Sequence, residues 1–153
     1  MENAIGWVNP DIAVLKLIQV HQTYIFPATS DKDVTITAGG TMNVYGAWTE
    51  ITDGTVGLAT VFAEKPGHIA GVEIESFNIA DKVYMVQIGY GDAHTLVTSF
   101  RFLSGLVAGS LSAPNLIRVR SEHIPAGETI YYRCMCETAD KVLTVSVRYF
   151  LHC

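Results

Sequence analysis

Histidines and closely spaced carboxylates are the residues of this chain that could support metal binding or catalysis. The five histidines are His21, His68, His94, His123 and His152. A metal site on a single strand needs two ligands that are two residues apart, because alternate residues of a strand point to the same face. No two histidines have that spacing, although His68 shortly precedes Glu73 and Glu75. We therefore expect no metal and no cofactor.

Two carboxylates could form the acid pair of a glycoside hydrolase. Glu73 and Glu75 share one face of a predicted strand and are about 7 Å apart by strand geometry. A strand face that is turned to water has the same pattern, however, and the chain has no Gly-x-Ser-x-Gly motif around a serine nucleophile. A glycine-rich phosphate loop followed by Lys and Ser or Thr is also missing. The sequence therefore predicts that the protein is not an enzyme.

The cysteines are typical of buried thiols. Cys134, Cys136 and Cys153 are an odd number, which argues against a set of disulfides. Cys134 and Cys136 lie two residues apart in an alternating apolar run, so both point to one face of the predicted strand. Two cysteines in that arrangement have poor geometry for bridging each other. We predict that both are reduced and lie in the core.

The composition indicates one domain with an unusually apolar surface. The chain has 153 residues, which fits a single domain. Hydrophobic residues make up 49% of it and charged residues 16%, whereas soluble domains have about 25% charged residues. Because so little charge is available to cover the surface, we expect part of that surface to be buried against other subunits.

The same numbers argue against nucleic acids and membranes as partners. The formal net charge is −5, and the ten Lys and Arg residues form no basic run that could follow phosphates. The longest apolar runs, 12–20 and 103–111, are interrupted and fall short of the about 20 residues of a membrane span. The start of the chain lacks the positive region and apolar segment of a signal peptide. We therefore expect assembly in the cytoplasm.

Period-two alternation of apolar residues predicts eight or nine strands within residues 34–153. One of them spans 55–62. Another, 95–103, places Leu96 and Phe100 on the same face. Their number and short spacing predict an all-β fold, an antiparallel β-sandwich or barrel.

Two stretches do not follow this pattern. Residues 104–115 are rich in Gly, Ser and Ala, and we predict a long surface loop there. Residues 1–33 are less regular and contain Pro10 and Pro27. We interpret them as an N-terminal arm or edge segment of the sandwich, while 34–153 form the sandwich domain.

The tetrapeptide Ile-Pro-Ala-Gly at 124–127 predicts a turn into a late strand. Pro125 restricts its own φ, and Gly127 permits a positive φ. One face of the strand that follows holds Ile130, Tyr132 and Cys134, and the other holds Tyr131, Arg133 and Met135. An arginine beside a tyrosine and a methionine is typical of a protein interface, although an arginine that lies along its own surface is the alternative.

Four segments of the chain together carry a resemblance to a known class of protein. They are Gly-Val-Glu-Ile-Glu at 71–75, Val-Gln-Ile-Gly-Tyr-Gly at 86–91, the stretch 124–134, and Val-Leu-Thr-Val-Ser-Val at 142–147. Their order resembles the jelly-roll virion structural proteins of tailed bacteriophages. In those proteins the pattern Ile-Pro-Ala-Gly-x-x-Ile-x-x-Arg leads into a late strand, and a hydrophobic final strand closes the sheet. The resemblance covers a little over half of the chain.

The resemblance implies a jelly-roll β-sandwich on the capsid surface of a virion. Such proteins commonly serve as capsid decoration (cement) proteins, which bridge major capsid subunits as homotrimers and so stabilise the head. It therefore implies the major capsid protein and further copies of this chain as partners, with assembly in the host cytoplasm. The predicted contacts to the shell are the arm residues Trp7, Pro10 and Ile12. The predicted contacts between subunits are Tyr131, Arg133, Tyr149 and Phe150.

Two other functions remain open. A receptor- or glycan-binding module of a tail fibre or baseplate would use the aromatic rings of Tyr45 and Trp48 and the Gly91–Thr95 loop on an exposed rim. A cupin-like metal enzyme would share the jelly-roll fold. It would also need two histidines and a glutamate close together on one strand, which this sequence does not contain.

Overall fold

The computed structural model describes residues 23–152, without the side chains of 110–114. The described chain forms two antiparallel sheets. Its strands are β1 (Tyr24–Phe26), β2 (Val34–Thr37), β3 (Thr49–Glu50), β4 (Gly67–Phe77), β5 (Val83–Tyr90), β6 (Thr95–Leu103), β7 (Gly109–Arg118), β8 (Ile130–Cys136) and β9 (Val142–Leu151). A short 3-10 helix, Leu58–Phe62, precedes β4. Within residues 23–152 no helix is long and apolar enough to cross a bilayer.

The strand order is that of a jelly roll. The first sheet has the order β1-β9-β4-β7, and β2 also pairs with β9. Since β1 pairs with the end of β9 and β2 with its beginning, the two act as one interrupted strand. The second sheet has the order β3-β8-β5-β6. With β1 and β2 counted as one strand, each sheet has four strands, and the chain crosses between the sheets at every connection except the β5–β6 turn. This arrangement confirms the predicted all-β jelly-roll sandwich.

The core lies between the two sheets and is built by strand alternation. Every second residue of β8, from Ile130 to Cys136, is buried, and the residues between them are half-buried. The largest fully buried side chain is Tyr84 on β5. Cys134 and Cys136 are buried free thiols, as the sequence predicted. The backbone N–H of Thr37 donates to the hydroxyl of Tyr132 at 3.2 Å and so links the two sheets.

The predicted strand at 55–62 is wrong. Residues Leu58–Phe62 form the 3-10 helix, and both terminal side chains of that helix are fully buried. Apolar residues four apart occur on one face of a strand as well as at the two ends of this short helix, so their spacing alone does not distinguish the two conformations. Asp53 closes the preceding turn by accepting the backbone N–H groups of Thr55 and Val56 at 2.8 and 2.7 Å.

The predicted long loop at 104–115 is also wrong in its second half. β7 begins at Gly109 and pairs with β4, so that Val72 faces Ile117 and Phe77 faces Gly109. Small and polar residues have low strand propensity, but pairing with a buried neighbour overrides a weak local preference.

A change of register alters one face of β6. The β5–β6 pairing skips one residue between Thr98 and Leu96, which oppose Ile88 and Gly89. The bulge leaves Val97 without a partner on β5 and shifts the alternation of side chains by one residue. Val97 is therefore buried while Leu96 is 48% exposed. Leu96 and Phe100 therefore do not share a face, which corrects the sequence-based prediction.

The segment assigned to an arm or edge, 1–33, is described only from residue 23. Within it, Tyr24–Phe26 form β1 at the edge of the first sheet and pair with Val147–Tyr149 of β9. The predicted shell contacts Trp7, Pro10 and Ile12 lie outside the described residues.

Alkaline pH should destabilise the fold because the core holds ionisable groups in their neutral form. Burial raises the pKa of the Cys134 thiol to about 12 and raises the pKa values of Tyr84 and Tyr149. In the unfolded chain these groups lose protons from about pH 9 upward. Stability is therefore fully present below that pH and is lost as the pH rises toward 12. We expect the urea midpoint to fall progressively above pH 9.

The Cys134→Ala variant is the control for this dependence. Its absolute stability is lower because of the cavity, but its midpoint should fall less steeply with pH than that of the natural chain. If the urea midpoints of both proteins fell equally steeply with pH, this result would contradict a contribution from the buried thiol.

Candidate functional site

A cation–aromatic cluster lies on the outer face of the second sheet. Its centre is Arg133 of β8, whose guanidinium carbon is 4.8 Å from the ring centroid of Tyr45 and 4.7 Å from that of Trp48. Its Nε donates a hydrogen bond of 2.7 Å to Oε1 of Gln87. Gln87 is directly opposite Arg133 in the pairing of β5 with β8. Two aromatic rings and one amide therefore hold the guanidinium in place.

Two further rings extend this group. The His94 imidazole is parallel to the Trp48 ring, with 5.0 Å between centroids and 2° between planes. The rings of His94 and Tyr131 pack edge to face, with 4.9 Å between centroids and 79° between planes. We call the set Tyr45, Trp48, Gln87, His94, Tyr131 and Arg133 the arginine cluster. It joins β8, β5, the β5–β6 turn and the segment before β3.

Backbone hydrogen bonds place the aromatic side chains of this cluster. The N–H groups of Gly39 and Gly46 both donate to the carbonyl oxygen of Cys134, each at 3.0 Å. The N–H of Asn43 donates to the carbonyl oxygen of Cys136 at 2.9 Å. The segment 39–46 therefore loops out from β8 and returns to it. As a result, the residues that follow Val44 lie across the outer side of β8.

Glycine is required at position 39 because the loop closes tightly there. A Cβ at Gly39 would lie 2.6 Å from the carbonyl oxygen of Val44 and 2.7 Å from the nitrogen of Gly46. A Cβ at Gly46 would lie 3.1 Å from the Cα of Gly39. These contacts are with backbone atoms, which cannot move aside as a flexible side chain would.

The electrostatics of Arg133 differ from those of the arginine on the other sheet. In the described part of the chain, the ion pair is that of Arg148 with Glu73, at 2.5 Å on the outer face of the first sheet. Arg133 has aromatic faces and an amide oxygen in place of a carboxylate. A cation over an aromatic ring contributes about 0.5–1 kcal/mol at exposed sites. The cluster is therefore held together without an ion pair between described residues.

Apolar side chains continue the surface beside the arginine cluster. Met85 and Met135 lie opposite each other in the β5–β8 pairing, and Met85 is 36% exposed. Val44 is 52% exposed and Leu103 is 62% exposed. Tyr, Trp, Met and Arg are the residues that are enriched in protein interfaces, and methionine adapts to varied partner shapes. The outer face of the second sheet therefore has the composition of a protein-contact surface.

The structure separates the four residues that were predicted for subunit contact. Tyr131 and Arg133 lie together in the arginine cluster on the second sheet. Tyr149 and Phe150 lie on β9 of the first sheet. Tyr149 is only 9% exposed and stacks on Tyr24 with 5.6 Å between ring centroids. These four side chains do not form one continuous surface, and whether either pair contacts another subunit stays a prediction.

The structure also unites residues to which the sequence assigned different functions. Tyr45, Trp48 and the Gly91–Thr95 loop were candidates for a glycan-binding rim, whereas Arg133 was a candidate for a subunit contact. Tyr45, Trp48, Arg133 and, from that loop, His94 meet in the arginine cluster. The glycines Gly39, Gly40 and Gly46 could have indicated this arrangement from the sequence, because glycines at such spacing allow a loop to fold back on itself.

One carboxylate of the pair considered for catalysis, Glu73, has structural partners. Glu73 accepts hydrogen bonds from Nε of Arg148 at 2.8 Å and from the hydroxyl of Ser146 at 3.4 Å. All three residues lie on paired strands of the first sheet. These contacts are sufficient to account for a half-buried glutamate at this position.

Sequence reasoning missed a cluster of three histidines. The ring centroids of His68 and His152 are 4.9 Å apart, and that of His123 is 5.4 Å from each. Nδ1 of His68 also lies 3.1 Å from the carbonyl oxygen of Ser121. The histidines come from three separate segments, so no spacing along the chain could have indicated them. Among residues 23–152, no three His, Cys, Asp or Glu side chains are arranged so that they could hold a metal ion.

Comparisons with known proteins return only distant structural similarity. No protein-family model matches the sequence. No curated protein matches it significantly. A chain in the structure of infectious bursal disease virus Gt strain is 15% identical with a TM-score of 0.40, and the match covers 86% of this chain and 32% of that one. For the Gx strain the values are 14%, 0.36, 87% and 33%. The protein thus spans about a third of the length of those viral chains, and similarity at this level supports no statement about function.

The close approach at Gly39 predicts a specific loss of stability. We expect Gly39→Ala to lower the free energy of unfolding by about 2 kcal/mol, because backbone atoms of Val44 and Gly46 must shift. Gly40→Ala is the matched control, since its Cβ would meet Oδ1 of Asp140 at an ordinary 3.5 Å. It should change the free energy by less than about 0.5 kcal/mol. Equal effects of the two changes in urea denaturation would contradict the tight closure of the loop.

Proposed function

We propose that the protein is a non-enzymatic structural protein of a virion, a capsid decoration protein that stabilises the head as a homotrimer by bridging major capsid subunits. The observation that carries the proposal is the outer face of the second sheet, which presents the arginine cluster and the exposed Met85 on a jelly-roll sandwich. The resemblance of segments 71–75, 86–91, 124–134 and 142–147 to virion proteins of tailed phages supports the same role. The low proportion of charged residues agrees with extensive burial in an assembly.

The chemistry of this face suits contact with a large protein partner. Arginines and aromatic residues near the centre of an interface commonly supply most of the binding free energy. Here Arg133 is already held in position by Tyr45, Trp48 and Gln87, so little side-chain entropy remains to be lost on binding. Exposed apolar atoms of Met85 and Val44 add about 25 cal/mol for each Å² that the contact removes from water.

This proposal assigns Tyr131 and Arg133 to contact with the shell, whereas the sequence-based prediction assigned them to contact between subunits. The face carries the charge of Arg133, and Arg101 on β6 lies opposite Met85 in the strand pairing. A partner that binds only the assembled shell stabilises that shell by mass action. The arm residues Trp7, Pro10 and Ile12 are proposed as further shell contacts from the sequence alone.

A receptor- or glycan-binding module is the second candidate. The observation in its favour is the set of partly exposed rings of Tyr45, Trp48 and His94, since sugars stack on aromatic faces. The Trp48 ring, however, already contacts the His94 imidazole and the Arg133 guanidinium. Less of its surface therefore remains for a sugar than on an open tryptophan.

Binding to capsids that lack the protein would test the proposal. We expect the natural chain to bind saturably, and we expect Met85→Glu to reduce occupancy at least about tenfold, because it puts a charge into an apolar contact. Ile25→Glu on β1 is the matched control, since Ile25 is similarly exposed at 41% but lies on the first sheet. It should bind like the natural chain. Occupancy can be measured by quantitative electrophoresis of purified particles.

Two results would count against this role. Absence of the protein from particles at any concentration would overturn it, and so would full occupancy by the Met85→Glu variant together with loss by Ile25→Glu. Binding of the isolated protein to defined glycans, abolished by Trp48→Ala, would instead favour the second candidate.

A further inference from the structure

The two long edges of the sandwich carry opposite charge. On one side the sheets end in β6 and β7, and the arginines there are Arg101, Arg118 and Arg120, with Glu122 as the nearby acid. On the other side they end in β2 and β3, and the carboxylates there are Asp31, Asp33, Glu50 and Asp53, with Lys32 as the nearby base. We call these the basic edge and the acidic edge.

The basic edge also exposes apolar side chains and the open sides of two edge strands. In the described chain β6 pairs with β5 alone and β7 with β4 alone, so each has one open side. Leu96 is 48% exposed, Leu103 62% and Leu116 38%. Open edge strands with apolar side chains tend to associate with other chains unless they are covered. This edge therefore has both the polar groups and the apolar area for a protein contact.

Two carboxylates of the acidic edge, Asp53 and Asp31, have lowered pKa values. Hydrogen bonds from the backbone N–H groups of Val56 and Thr55 lower the pKa of Asp53. A hydrogen bond with the side chain of Thr29 lowers the pKa of Asp31. Lys32, the base at this edge, donates from Nζ to the hydroxyl of Thr55 at 3.2 Å. Asp33 and Glu50 are both exposed and so can reach a partner.

We propose that copies of this chain associate head to tail, with the basic edge of one copy against the acidic edge of the next. The charge complementarity lies within a single chain, which favours a second copy over an unrelated partner. Because the net charge is −5, two copies repel each other on average unless these particular edges meet. A contact between two different patches closes into a ring when its rotation permits, and this inference rests on the proposed homotrimer for the number of copies.

Paired charge reversals test the contact in the full-length chain. Arg101→Glu with Arg118→Glu, and separately Asp33→Lys with Glu50→Lys, should each weaken self-association at least about 100-fold. The chain that carries all four changes should associate again, since opposite charges then face each other with exchanged signs. Lys65→Glu is the control, because Lys65 is exposed but belongs to neither edge. Sedimentation velocity over a concentration series measures the association, and circular dichroism checks that each variant is folded.

The outcomes separate this inference from the proposed function. Loss of the oligomer in both double variants and its recovery in the fourfold variant would establish the contact, as would weaker association of the natural chain at high salt. A monomeric natural chain would overturn the contact, and so would an oligomer that neither double variant affects. In both of these cases the virion role would still be decided by the occupancy of particles.

Discussion

The alternation of β8 between core and surface is the constraint on which the rest of the structure depends. Ile130, Tyr132 and Cys134 fill the space between the sheets, and this fixes the register of the strand against β5. A shift by one residue would turn the core residues outward and would bury Arg133. The burial of the apolar face therefore determines where the guanidinium lies, and the backbone carbonyls of the same strand anchor the segment 39–46.

The parts of the fold that the sequence predicted correctly are those that depend on a two-residue period. β8 and β9 have long alternating runs, and the turn before β8 has its own signal in Pro125 and Gly127. The failures occurred where a distant partner decides the conformation. β7 is a strand because β4 offers it hydrogen bonds, and Leu58–Phe62 is a helical turn because both of its ends are buried.

The candidate site was predictable only in part, for a related reason. Alternation placed Tyr131 and Arg133 on an outward face, which the structure also shows. It could not reveal that Trp48 lies over Arg133, because these residues are far apart in the chain and meet through the closure of a loop. The histidine cluster is a stronger example, since its members come from the start of β4, the segment before β8 and the residue that follows β9.

The two proposed surfaces overlap only at β6, where Arg101 and Leu103 belong both to the outer face of the second sheet and to its edge. A ring joined through its edges leaves the arginine cluster of every copy uncovered and places these clusters at equivalent positions around one axis. Three linked contacts then act together, so that after the first has formed, the others bind at a high effective concentration. A face as small as that of the arginine cluster can hold such a ring on a repetitive shell, even though a single contact of this size would be weak.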